Sequence, residues 1–142
     1  MIQFSKLSGF SPIITTASKG NEAYLKSLGA THVIDRNVAL SSAVKEITSE
    51  PIKFICDAVS LEDTQLAAYE TLAPGGVLLL VFPLALDKSK LSNEKVVTMV
   101  VSDYGSEGKR KVAVALFNNL PALLEAGEIK VSHSRRESYN RN

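Results

Sequence analysis

Ile52-Lys53-Phe54-Ile55-Cys56-Asp57 leads through Ser60-Leu61-Glu62-Asp63 and Pro74-Gly75-Gly76 to Val77-Leu78-Leu79-Leu80-Val81-Phe82. The first segment is short and apolar, the composition of a strand. Ser60-Leu61-Glu62-Asp63 has the form of a capping box and sets two acids at the positive end of a helix dipole, so it predicts a helix running to about Leu72. Pro74-Gly75-Gly76 then turns the chain into a continuous apolar run of strand length. Such a run belongs to a strand covered on both faces, and those strands sit centrally. Two strands joined through a helix must lie parallel, with a right-handed crossover.

The same alternation extends both ways. Upstream, Ser11-Pro12-Ile13-Ile14-Thr15-Thr16 reads as a strand opened by Pro12. The next helix carries Tyr24, Leu25 and Leu28 on one stripe and ends at Gly29, with Ser18 as a candidate cap. Thr31-His32-Val33-Ile34-Asp35 is a further strand. Leu40, Ala43, Val44 and Ile47 then share a helix face before Pro51. Downstream, the polar loop 87–93 reaches a fifth strand, Val96-Val97-Thr98-Met99-Val100-Val101. A last helix begins near Lys109, is expected to carry Val112, Leu116, Leu120, Leu123 and Leu124 inward, and stops at Gly127; Pro121 should kink or split it. The order βαβαβαββα predicts an α/β domain with a parallel sheet between helices.

With 142 residues the chain has room for one ordinary domain. We divide it into a domain over residues 1–130 and a polar tail over 131–142. A net charge of +1 offers no field for nucleic acid or an anionic membrane. No apolar run is long enough for a membrane span, and the first residues lack the order of a signal peptide. The lone Cys56 excludes an intrachain disulfide and suits a reducing compartment, so the expected location is cytoplasmic. His32 and His133 have no nearby His or Cys, so no metal is expected.

Lys6-Leu7-Ser8-Gly9-Phe10, Thr15-Thr16-Ala17-Ser18-Lys19, Leu25-Lys26-Ser27-Leu28-Gly29-Ala30 and Val33-Ile34-Asp35, in this order and spacing, are similar to the cofactor half of medium-chain dehydrogenases and reductases. Pro74-Gly75-Gly76 and Leu123-Leu124-Glu125-Ala126-Gly127-Glu128-Ile129-Lys130 resemble the fungal branch of zinc-free, NADPH-dependent quinone-reductase and enoyl-reductase-like proteins. The resemblance implies a Rossmann-like sheet. It also implies that the strand ending near Thr16 is followed by a small loop, occupied by Ser18 and Lys19, that holds the adenosine 2′-phosphate, where a hydroxyl and an ammonium suit NADPH better than NADH. Arg36 falls beside the adenine and phosphate, and Asp57, Ala58 and Val59 end a strand at the edge where open α/β sheets bind ligands. Read without the family, Ser18 is also an N-cap, Lys19 a solvated first-turn residue, Arg36 a loop charge, Asp57 a turn acceptor and Cys56 a packed thiol.

Two parts of the family pattern are absent from the sequence. The opening strand with its glycine-rich turn, which receives the pyrophosphate, has no counterpart, and Met1-Ile2-Gln3-Phe4 corresponds to the middle of the helix after that turn. The substrate domain is missing as well. The expected fold is therefore an incomplete Rossmann-like sheet without its central first strand, with weak or vestigial NADPH binding and little or no catalysis by itself. The alternative is a non-catalytic oligomeric or interaction module. Unpaired edges and the apolar strand 96–101 favour a homodimer.

Overall fold

The computed structural model of the chain describes residues 1–100 and 106–131. The elements are α1 (Ile2–Leu7), β1 (Ile14–Ala17), α2 (Glu22–Ser27), β2 (His32–Asp35), α3 (Leu40–Ile47), β3 (Phe54–Asp57), α4 (Glu62–Thr71), β4 (Val77–Leu80), β5 (Val96–Met99) and α5 (Glu107–Glu125). The expected fifth strand stops at Met99, and Val101 and the tail 132–142 lie outside the described residues. Pro12 precedes β1 by two residues instead of opening it.

All pairings are parallel. Ile14 stands opposite His32 in a two-stranded sheet, while Phe54 stands opposite Val77 and Val77 opposite Val96 in a three-stranded sheet ordered β3-β4-β5. Among the described residues β1 and β3 are not hydrogen-bonded to each other, so the strands form two parallel sheets. The result is a Rossmann-like α/β fold of parallel sheets with flanking helices.

Among the described residues β4 is the one strand with a strand on each side, and it forms the core. Leu78 and Leu80 are fully buried, with Ala68 and Leu72 from the α4 region laid against them and Ile55, Tyr69, Leu84 and Val97 around the margin. Each buried leucine contributes about 1.5–3 kcal/mol. β1 and β3, each flanked on one side only, are less covered: Thr16 and Phe54 are exposed.

Helix boundaries depart from expectation in three places. Ser60 does not cap α4: its φ is +54, its hydroxyl is turned to Asp57 and Val81, and the first turn is closed by Thr64, whose Oγ1 accepts from Leu61 N at 3.0 Å. Ser18 precedes a single 3-10 turn at Lys19–Asn21 and makes no capping bond, because its hydroxyl accepts from Arg36. α5 runs unbroken through Pro121, and none of its residues is buried; Val112 is 70 % exposed. Of the expected inward positions Leu120 and Leu123 are half-buried, while Val112, Leu116 and Leu124 are exposed. Pro121 removes one backbone donor, and at an exposed turn water satisfies the freed carbonyl.

The glycine after α2 does end it. Gly29 has φ +112, and a Cβ there would come within 2.8 Å of Lys6 Cδ, so this turn also sets α2 close to α1. Gln3 ties α1 to the segment after α5: its Nε2 donates to Lys130 O at 3.0 Å, and Lys130 N donates to its Oε1 at 2.6 Å. No described helix is long and apolar enough to cross a membrane.

Candidate functional site

The parallel register sets Ala17 opposite Asp35, so the residues that follow, Ser18 and Arg36, leave the carboxyl edge of the two-stranded sheet side by side. Arg36 N donates to Ala17 O at 3.0 Å and holds the loop after β2 against the end of β1. Its side chain turns back, and Nη2 donates to Ser18 Oγ at 2.7 Å. Lys19 follows Ser18 in the exposed 3-10 turn. Among the described residues neither Lys19 nor Arg36 is paired with a carboxylate. Asp35, the nearest acid in sequence, is occupied by Asn37, whose backbone N and Nδ2 both donate to its Oδ1 at 2.9 Å. Two of the expected residues, Ser18 and Arg36, thus meet through their side chains at one sheet edge, a hydroxyl and a guanidinium, with Lys19 next to Ser18 in the chain. Thr16 lies on the same strand, exposed, one residue before its end.

Asp57, Ala58 and Val59 form a second group, at the carboxyl edge of β3. The Asp57 carboxylate is buried, and its oxygens are taken up internally. Oδ1 accepts from Val59 N at 2.9 Å and Ser60 N at 2.8 Å, while Oδ2 accepts from Thr64 Oγ1 at 2.7 Å. It anchors the turn between β3 and α4. Ala58 and Val59 are exposed on that turn.

Gln65 is the residue the sequence reading missed. Fully buried, it donates from Nε2 to Ser60 O and Pro83 O, both at 3.0 Å, and accepts from Ala85 N at 2.9 Å. Its amide fastens the loop after β3 to the loop after β4. The signal was available: Gln65 lies three and seven residues before Ala68 and Leu72, a polar residue on a buried helix stripe.

The cavities do not coincide with the Ser18–Arg36 pair. One cleft of about 520 Å³ lies between α3 and α4 at the amino end of β3, bordered by Lys45, Glu50, Ile52 and Glu70. A second, of about 350 Å³, lies between Thr15 of β1 and Cys56 and Ala58 of the β3 edge, with Ile2, Gln3 and Leu28 beside it. Burial raises the Cys56 thiol above its ordinary value, opposed by the N-terminal ammonium and reinforced by Asp57. This is a packed thiol rather than an activated one.

A family described as zinc-binding dehydrogenase matches residues 1–119. Among solved structures, the chain is similar to a zinc-dependent alcohol dehydrogenase candidate from Rhizobium etli, at 21 % identity and TM-score 0.80, covering 92 % of this chain and 40 % of that one. It is similar to a quinone oxidoreductase from Coxiella burnetii at 22 % identity and TM-score 0.70, covering 94 % and 39 % of the two chains. A quinone oxidoreductase from Pseudomonas syringae shows 25 % identity and TM-score 0.70, covering 93 % and 43 %. The chain spans about two fifths of the length of these neighbours. No curated protein matches it.

Proposed function

The chain belongs to the zinc-binding dehydrogenase family, and on that footing we propose that it is the NADPH-binding part of a reductase from the zinc-free, fungal-like branch of quinone- and enoyl-reductase-like proteins. One observation supports the cofactor: Arg36 Nη2 donates to Ser18 Oγ at 2.7 Å, with Lys19 next in the chain and, among the described residues, neither cation paired with a carboxylate. An NAD-specific edge would use an acid to bind the ribose hydroxyls. Ser18, Lys19 and Arg36 would hold the 2′-phosphate, with Thr16 at the strand end and Ala58 and Val59 along the exposed turn. Asp57 would shape that turn without touching the nucleotide, since its oxygens are already engaged.

When bound, the nicotinamide supplies a hydride. The chain's own residues bind and orient the adenosine end only, so binding is weak and turnover by the chain alone is slight or nil. Among the described residues no three of His, Cys, Asp and Glu gather as a group that could hold a metal. A reducing, cytoplasmic setting accords with the single, packed Cys56.

Titration with NADPH beside NADH tests this reading. Lys19→Ala should weaken NADPH binding about tenfold, the worth of one charge-assisted hydrogen bond, and leave NADH nearly unchanged. Equal losses for both nucleotides would remove Lys19 from the phosphate site. Saturable oxidation of NADPH by a quinone or enone with the homogeneous chain would overturn the non-catalytic part.

A second reading rests on β5. Its outer edge carries no strand among the described residues, and Val96 and Met99 are exposed on it. In that reading the chain is an association module, a homodimer joined edge to edge.

A further inference from the structure

The buried stripe of α4 runs through Gln65, Ala68 and, just past the helix end, Leu72. Ala68 and Leu72 pack against Leu78 and Leu80 in the core, as apolar residues on such a stripe do. Gln65 is polar and fully buried. A methionine of similar volume would fill its place with no partner to find, whereas a buried amide recovers in hydrogen bonds about what it loses in hydration. What the glutamine adds is therefore direction more than stability. All three of its bonds end on the two loops at the carboxyl edge: Nε2 donates to Ser60 O and Pro83 O, each at 3.0 Å, and Oε1 accepts from Ala85 N at 2.9 Å.

Ser60 supplies the other half of this arrangement. Among the described residues it is the one non-glycine residue with positive φ, at +54, a conformation that a Cβ disfavours. Its N donates to Asp57 Oδ1 at 2.8 Å, and its hydroxyl donates to Asp57 O at 2.7 Å while accepting from Val81 N at 3.0 Å. The turn after β3 and the loop after β4 are thus cross-linked twice, once from Ser60 to Val81 and once through Gln65 to Pro83 and Ala85. Strained backbone held in place by side-chain bonds is a mark of sites where geometry serves a ligand. Ala58 and Val59, which the turn presents to solvent, stand immediately before Ser60.

We propose that Gln65 is a positioning residue for the nucleotide. Its amide fixes Ser60, and through Ser60 the exposed Ala58 and Val59 along which the adenosine part lies. This role rests on the nucleotide-binding reading above and adds to it a residue that touches no ligand. Adenosine is common to NADPH and NADH, so loss of the brace weakens both alike. Lys19 acts on the 2′-phosphate, so its loss changes the ratio of the two affinities. The ratio separates the two roles.

The full chain is titrated with NADPH and, separately, with NADH, and binding is followed by NMR at the Ala58 and Val59 amides, at a temperature where circular dichroism shows each variant folded. Gln65→Met, which keeps the volume and removes the amide, should raise both dissociation constants about tenfold and by the same factor. It should also speed amide exchange at Val81, whose N–H is bonded to Ser60 and not to Gln65. Ala85→Pro removes the donor to Gln65 Oε1 from an exposed loop position and should act in the same direction, by about threefold. A folded Gln65→Met chain with wild-type constants for both nucleotides, or with a loss confined to NADPH, overturns the role. If Gln65→Met does not fold, unchanged constants in Ala85→Pro overturn it. A wild-type chain that binds neither nucleotide overturns the nucleotide reading and this role with it, whereas a wild type that binds no better than its variants overturns this role alone.

Discussion

Thr64 donates its hydroxyl to Asp57 at 2.7 Å, and through that bond the first turn of α4 is held to the end of β3. The same threonine oxygen accepts from Leu61 N, so one side chain closes the helix start and restrains the carboxylate. Asp57 in turn accepts from two backbone N–H groups. Its place in the molecule is that of a bracket between strand, turn and helix.

Asp57→Ala should therefore cost about 2–3 kcal/mol of stability, because Val59 N, Ser60 N and Thr64 Oγ1 lose a charged acceptor together. Thr64→Val should cost about 1 kcal/mol. Urea denaturation followed by circular dichroism measures both. A loss below about 0.5 kcal/mol for Asp57→Ala would place the structural anchor elsewhere.

Cys56 gives the pH dependence. Burial raises its thiol above the ordinary value, so the folded state disfavours the thiolate relative to the unfolded chain. The sign follows from linkage: its contribution to stability is whole below the unfolded thiol pKa of about 8.5 and is lost as pH rises through the higher folded value. Stability should decline on the alkaline side, and Cys56→Ala should flatten that decline. Denaturation midpoints measured from pH 7 to pH 10 decide it; identical slopes in wild type and variant would contradict the assignment.

The association reading is tested at Met99. Val97 packs against the core around Leu78 and Leu80, so a lysine there would damage the fold as well as any seam. Met99 is 40 % exposed, which makes Met99→Lys the cleaner probe. Light scattering after size exclusion should show a dimer for the wild type and a species near 15.3 kDa for Met99→Lys. A wild-type species at the chain mass at every dilution would remove the dimer.

The α/β alternation was legible because the two periods differ: Leu78 and Leu80 sit in an unbroken apolar run, while Leu40, Val44 and Ile47 recur at helical spacing. The end of α2 at Gly29 and the central place of β4 were legible for the same local reasons. Hydroxyl roles were not. Ser18 and Ser60 stand where caps belong, but Arg36 claims the first, and Asp57 and Val81 the second, from elements remote in sequence. Nor did periodicity reveal that α5 would have none of its residues buried, because an apolar face states a need without stating whether anything meets it. The clustering of Ser18 with Arg36 depended on the β1–β2 register, which no single segment contains.

The paired hydrogen bonds between Gln3 and Lys130 join positions 127 apart in sequence. Chain order is consequently a weaker constraint on this fold than chain proximity. In a shortened variant without residues 132–142, a peptide of a few residues from position 131 back to position 1 would close the polypeptide into a ring with little loop-closure entropy left to lose. Reopening the ring in the exposed stretch around Lys88–Lys90 would give a circular permutant in which β5 and α5 are made first and β1 to β4 follow.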